Sequence, residues 1–210
     1  MKQVLVIDRE CGCGASTVAY EIAQRLDWEL FHHDIAEEAA RLAQLFPAVR
    51  HAHGVRLDSC IHRAAQVLRR GGFERPIQPN CDLFDSDRLV ALEREIIERA
   101  AEHGHCVIVG RGAPYYLRDR PDVFSVFLYA PRDIRFHRIL QRVHDESRAA
   151  ALIVAMDEKR RKFTEHYFGC DWGDRHFFDL MLNTELGCDT VVELILRALE
   201  LANRCEDPTG

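Results

Sequence analysis

Residues 2–17 read KQVLVIDRECGCGAST. The apolar run around Val4, Leu5, Val6 and Ile7 predicts a short buried strand over residues 2–8. A turn containing Gly12 and Gly14 follows, and from Thr17 the apolar residues recur near one face of a predicted helix reaching Leu26. In a strand–glycine turn–helix unit, glycines let backbone N–H groups approach an anion closely, and the helix N-terminus favours negative charge. Ser16 or Thr17 is placed to offer a hydroxyl to Mg²⁺. Against the phosphate-loop pattern G-x-x-x-x-G-K-[ST], Arg9 stands at the first glycine and Ala15 at the lysine. Alone, the stretch is also readable as an ordinary strand-to-helix turn capped by Ser16.

Outward from this unit the alternation continues. Residues 28–31 predict a second short strand, and Asp34 is a candidate cap for an alanine-rich stretch over 35–45. Residues from about 47 to 85, broken by Gly54, Gly71, Gly72, Pro76 and Pro79, read as an insertion. Leu89, Leu92, Ile96 and Ala100 mark an amphipathic helix ending near Gly104, followed by an apolar strand over 106–109. A further strand is predicted over 122–129, a helix with Pro131 in its first turn running to about His144, and a long charged helix from Ser147. A short strand over 180–182 and a helix over 190–203 close the chain. Strands alternating with helices imply a parallel sheet covered on both faces, with ligands gathered at the carboxyl ends of the strands.

The 210 residues are 47% hydrophobic and 30% charged, enough for one substantial core and a single domain. No apolar run reaches the roughly 18 residues that suggest a membrane span, and no leader is evident, so the expectation is a cytoplasmic protein. A net charge of −6 argues against a general nucleic-acid or anionic-membrane binder. The eight cysteines read as free thiols, because a chain of this size needs no disulfide scaffold. His51, His53, Cys60 and His62 lack the paired spacing of a zinc module.

Two more constellations carry chemistry. Val107-Ile108-Val109-Gly110-Arg111-Gly112 puts an arginine at the end of a buried strand, where a guanidinium can grip a phosphate; a surface ion pair is the alternative. Asp157-Glu158-Lys159-Arg160-Arg161-Lys162, leading to Trp172-Gly173-Asp174, is either a solvated charged face or a basic lid.

Taken in order, DRECGCGASTVAYEIAQRL (8–26), FHHD (31–34), VIVGRGAPYYLRDRPDVFSVFLYAPRDIRFHRI (107–139), DEKRRKFTEHYFGCDWGD (157–174) and FFDLMLNT (177–184) resemble the cytidylate kinase-like family. The resemblance implies an α/β P-loop NTPase three-layer sandwich with a five-stranded parallel sheet, a helical acceptor-binding insertion at about 47–85 and a lid at about 157–175. It also implies a phosphotransferase using Mg²⁺ and ATP or GTP, with CMP or dCMP as the acceptor. Carried over by residue, Arg9, Gly12, Cys13, Gly14, Ala15, Ser16 and Thr17 form the donor loop, with Ser16 toward Mg²⁺. Asp34, Arg111 and Arg135 lie by the acceptor. Arg138, Arg160 and Arg161 are the candidate catalytic cations, because phosphoryl transfer chiefly requires alignment and neutralised charge. The alternative that Ala15 raises is a nucleotide-binding sensor or partner-binding protein that has lost turnover. A third reading makes Cys11 and Cys13 a thiol switch with pKa values lowered by the helix N-terminus.

Overall fold

Val4, Leu5, Val6 and Ile7 are all fully buried. Because strand side chains alternate between faces, this requires apolar cover on both sides of the first strand. The computed structural model describes residues 1–32 and 86–205, and supplies that cover. Leu5 and Ile7 pack with Val18, Ile22, Val191 and Ile195 on one face, while Val4 and Val6 pack with Ile96, Ile97, Ala101 and Ile108 on the other.

The strands are β1 (Val4–Arg9), β2 (Glu29–Phe31), β3 (Cys106–Val109), β4 (Val123–Tyr129) and β5 (Leu180–Asn183), in the order β2-β3-β1-β4-β5, all parallel. The described helices are α1 (Ala15–Leu26), α2 (Ser86–His103), α3 (Ala113–Tyr116), α4 (Arg132–Val143), α5 (Glu146–Phe168) and α6 (Cys188–Cys205). The sheet with α1 and α6 on one face and α2 on the other is the three-layer arrangement read from the sequence.

Local chemistry moved some boundaries. Helix α1 starts at Ala15, so Ser16 lies inside it and Gly14 is the N-cap, with no side-chain cap. Pro131 is the N-cap of α4 rather than its first helical residue. Helix α5 starts at Glu146 because the Asp145 side chain accepts from the Arg148 N–H. The four residues of α3 were too short to show a period. The stretch expected to form a lid begins inside α5, whose buried stripe runs through Ala149, Ile153 and Thr164, and continues into the loop after Gly169. The expected insertion at 47–85 and Asp34 lie outside the described residues.

Gly112 shows how tightly the end of α5 seats on the sheet. Its φ is +74°, and an added Cβ would lie 2.7 and 2.9 Å from Phe168 ring carbons. Left-handed strain and overpacking together predict that Gly112→Ala lowers unfolding stability by about 2–4 kcal/mol. Urea unfolding checks this, and an unchanged midpoint would refute the packing assignment.

Candidate active site

The register Ile7↔Val109 places the turns after β1 and β3 side by side, and the Gly110 N–H donates to the Ile7 carbonyl at 2.8 Å. Both face the carboxyl end of the sheet, where the topology switches sides of β1. The glycine turn after β1 enters α1 through Gly14, at φ +87°. Gly12, at φ +82°, acts differently. An added Cβ there would lie 2.9 Å from the Arg135 carbonyl oxygen and 3.0 Å from Ile139, so its missing side chain lets the loop lie on α4. Ala15 is buried in the core cluster with Val18 and Ile22. The side chain at the usual lysine position therefore points into packing.

Helix α4 anchors this loop. Arg138 donates to the Cys13 carbonyl at 2.7 Å, to Thr184 Oγ1 at 2.9 Å and to the Thr184 carbonyl at 3.0 Å. Its Nη1 lies 3.6 Å from a Cβ built on Gly14. Arg135 is buried and tied down through Nε and Nη1: it donates to the Ala130 and Cys11 carbonyls, pairs with Glu10 at 3.2 Å and bonds Asp157. Asp157 also accepts the Cys11 N–H at 2.7 Å, so a carboxylate from α5 already holds one amide of the loop.

The sequence treats Arg160 and Arg161 alike, and the structure separates them. The Arg160 side chain is 19% exposed, and its Nη1 donates to the Arg9 carbonyl at 3.0 Å and to Asp157 at 3.4 Å. The Arg161 side chain is 54% exposed and pairs with Glu158 on its own helix. Arg9 packs on the neighbouring strand end: its guanidinium lies so close to Gly110 that a Cβ there would meet Nη1 at 1.9 Å. Burial, Arg160 and Arg111 together lower the Arg9 pKa to about 10, with Asp8 opposing them.

Arg111, at φ +60° between two left-handed glycines, donates to Glu93 at 3.3 Å. Glu93 is 2% exposed, and burial raises its pKa against the pull of Arg111 and Lys159. Sequence reasoning passed over Glu93 and took Asp157 only as the start of a charged run. The available signal was an acid on a core-facing stripe: Glu93 precedes Ile97 by one turn, and Asp157 follows Ile153 by one turn. Asp8, which accepts from Trp172 Nε1 at 3.1 Å, was hidden because it sits at a strand end.

Magnesium takes oxygen ligands and commonly keeps water and phosphate oxygens in its shell. Ser16 Oγ, in the first turn of α1, lies 2.9 Å from His32 Nε2 at the end of β2. Among the described residues no group of three or more His, Cys, Asp or Glu side chains could hold a metal. This donor set fits an ion carried mainly by a nucleotide's phosphates, with one protein hydroxyl. Thr17 is exposed one residue further along α1. The thiol-switch reading meets opposition from burial, which pushes Cys13 up to about 11 and also raises Cys11, outweighing the nearby arginines.

A five-stranded parallel sheet, a glycine turn opening a helix after its first strand and arginines at the adjoining strand end define an α/β protein of the P-loop NTPase fold. The chain belongs to the cytidylate kinase-like family, whose model matches residues 4–186. It is 32% identical over 123 residues to a cytidylate kinase of Halobacterium salinarum, covering 56% of this chain and 63% of that protein. It is 28% identical over 129 residues to a cytidylate kinase of Saccharolobus islandicus, covering 60% and 66%. The matches thus span just under two thirds of these relatives' lengths. Among solved structures, an uncharacterized protein from Eubacterium ventriosum superposes with a TM-score of 0.69 at 21% identity, over 95% of this chain and 99% of that one. A gluconokinase from Sinorhizobium meliloti superposes with a TM-score of 0.56 at 14% identity, over the whole of both chains. These likenesses establish the fold. No described helix is long and apolar enough to cross a membrane.

Proposed function

We propose that this chain is a nucleotide phosphotransferase that moves the γ-phosphoryl group of ATP or GTP, with Mg²⁺, to a nucleoside monophosphate, with CMP and dCMP as the first acceptors to test. The observation that carries this reading is the adjacency of the glycine turn after β1 and the Arg111 turn after β3, tied by the Gly110–Ile7 hydrogen bond. Donor and acceptor phosphates bound at neighbouring turns meet with little reorganisation. The turn amides and the N-terminus of α1 receive the donor phosphates, Arg138 borders Gly14, and Arg160 reaches the Arg9 backbone between the two turns. Bound with the nucleotide, Mg²⁺ would supply charge neutralisation on the phosphates. A monophosphate acceptor is already ionised, so no side-chain base is required. Residues from about 47 to 85 would form the acceptor-binding insertion and residues from about 157 to 175 the lid over the transferred phosphate, in one domain working in the cytoplasm.

ADP release from Mg-ATP, measured across a panel of nucleoside monophosphates, tests the proposal. Arg111→Ala should raise the acceptor KM by about 10- to 100-fold, the loss of charge-assisted hydrogen bonds to a phosphate, with donor affinity nearly unchanged. Unchanged acceptor kinetics would place the acceptor elsewhere. A second reading, a nucleotide-binding sensor without turnover, is favoured by Ala15 and by the Asp157 carboxylate on the Cys11 N–H. Nucleotide binding with no product from any acceptor would support it.

A further inference from the structure

We infer that Arg9 is the second arm of the acceptor-anion site, gripping with Arg111 the phosphate of the monophosphate acceptor. The inference rests on the phosphotransferase reading and adds a binding residue to that site.

The Arg9 side chain is 12% exposed, yet none of its five N–H donors makes a hydrogen bond among the described residues. Its nearest carboxylate, Asp8, stands 3.9 Å away and already accepts from the Arg9 backbone N–H and from Trp172. The guanidinium is shielded but not sealed in: its nitrogens are not among the buried side-chain polar atoms left without a partner, so they stay open to a ligand at the cleft. Packing alone gives no reason for the charge, since a neutral side chain of similar length would cover Gly110 as well.

The direction of Arg9 fixes where that ligand sits. Its guanidinium lies on Gly110, one residue before Arg111. Arg111 spends one hydrogen bond on Glu93 and keeps its other donors unengaged among the described residues. Buried Glu93 acts as a positioning residue that holds this guanidinium at the cleft edge, where it is 25% exposed. Arg160 depresses the pKa of both Arg9 and Arg111, and Arg111 adds to the depression at Arg9, so three cations converge at the carboxyl ends of β1 and β3.

The donor count selects the ligand. A carboxylate is satisfied by one guanidinium fork, whereas a phosphomonoester dianion offers three terminal oxygens and can engage two forks at once. Two arginines with most of their N–H groups unengaged among the described residues therefore match a phosphate.

Equilibrium binding separates this from the function it rests on. Calorimetric titration of CMP, dCMP, AMP, UMP, ribose 5-phosphate and inorganic phosphate should show binding of at least one phosphomonoester, with cytidine and gluconate at least about 10-fold weaker. Arg9→Gln should weaken that phosphomonoester by about 10- to 100-fold while cytidine affinity moves less than about 2-fold, and Arg9→Lys should recover part of the loss. Thermal unfolding of each variant guards against general damage, and Arg9→Lys, which keeps the charge, serves if Arg9→Gln does not fold. Arg9→Gln binding phosphomonoesters as wild type does, with Arg111→Gln impaired, would remove Arg9 from the site and leave the acceptor reading intact. Gluconate bound in preference to every phosphomonoester would overturn both the substrate class and the phosphotransfer to nucleotides.

Discussion

Replacing Arg160 with alanine should lower kcat by at least about 10²-fold, whereas Arg161→Ala should change it less than about 3-fold. The two arginines are neighbours in sequence and opposites in environment. Arg161 is more than half exposed and already paired with Glu158, so its charge is screened by water and contributes little to a distant centre. Arg160 is largely buried, reaches the Arg9 carbonyl and stands close enough to Arg9 and Arg111 to depress both. Arginines that act on a transferring phosphoryl group contribute about 10³ to 10⁵ in rate, and the expected loss is set lower because Arg9 and Arg111 remain nearby. Arg160 also braces the β1 turn through that carbonyl, so nucleotide affinity must be measured beside turnover. A fall in kcat with donor affinity preserved assigns Arg160 to the reacting group. Parallel losses in both would make it a structural brace, and full turnover would reject the assignment.

The sheet was legible because its strands are buried on both faces, so the apolar runs at Val4 and at Cys106 read as continuous rather than alternating segments. The site was legible only as a set of positions. Arg9 looked like a loop residue because the pattern assigns its place to a glycine, and nothing local reveals that its side chain crosses to the neighbouring strand end. Arg135 reads as a cation beside the acceptor, and the sequence does not show that Glu10, Cys11 and Asp157, which engage it, come from other segments of the chain. Spacing within one helix shows which face a side chain occupies, whereas pairing between distant segments depends on tertiary packing. Glu93 and Asp157 mark the boundary between the two kinds of information. Their helical phase exposes them as acids on buried stripes, and only the fold shows that each holds an arginine at the cleft.

The conformation of Gly14 supplies the sharpest test of the donor loop: Gly14→Val should abolish detectable binding of Mg-ATP and Mg-GTP, a loss of at least about 10²-fold. Gly14 holds φ +87° as the N-cap of α1, and its carbonyl accepts the N–H groups of Thr17 and Val18 at 3.1 and 3.3 Å. A β-branched residue is an outlier at positive φ, so valine would either rotate the first turn of α1 or fill the space above the loop. Both outcomes remove the aligned amides that a phosphate needs. The damage should stay local, because a Cβ at Gly14 meets nothing closer than Arg138 Nη1 at 3.6 Å. Gly12 is the contrasting position: there a Cβ would press on the Arg135 carbonyl, and Gly12→Ala would report packing of the loop on α4. Circular dichroism should find Gly14→Val folded like wild type, and calorimetry should find it silent toward nucleotide. Wild-type affinity in the valine variant would move the donor phosphates away from this loop and leave Ala15 and Asp157 as features of a structural turn.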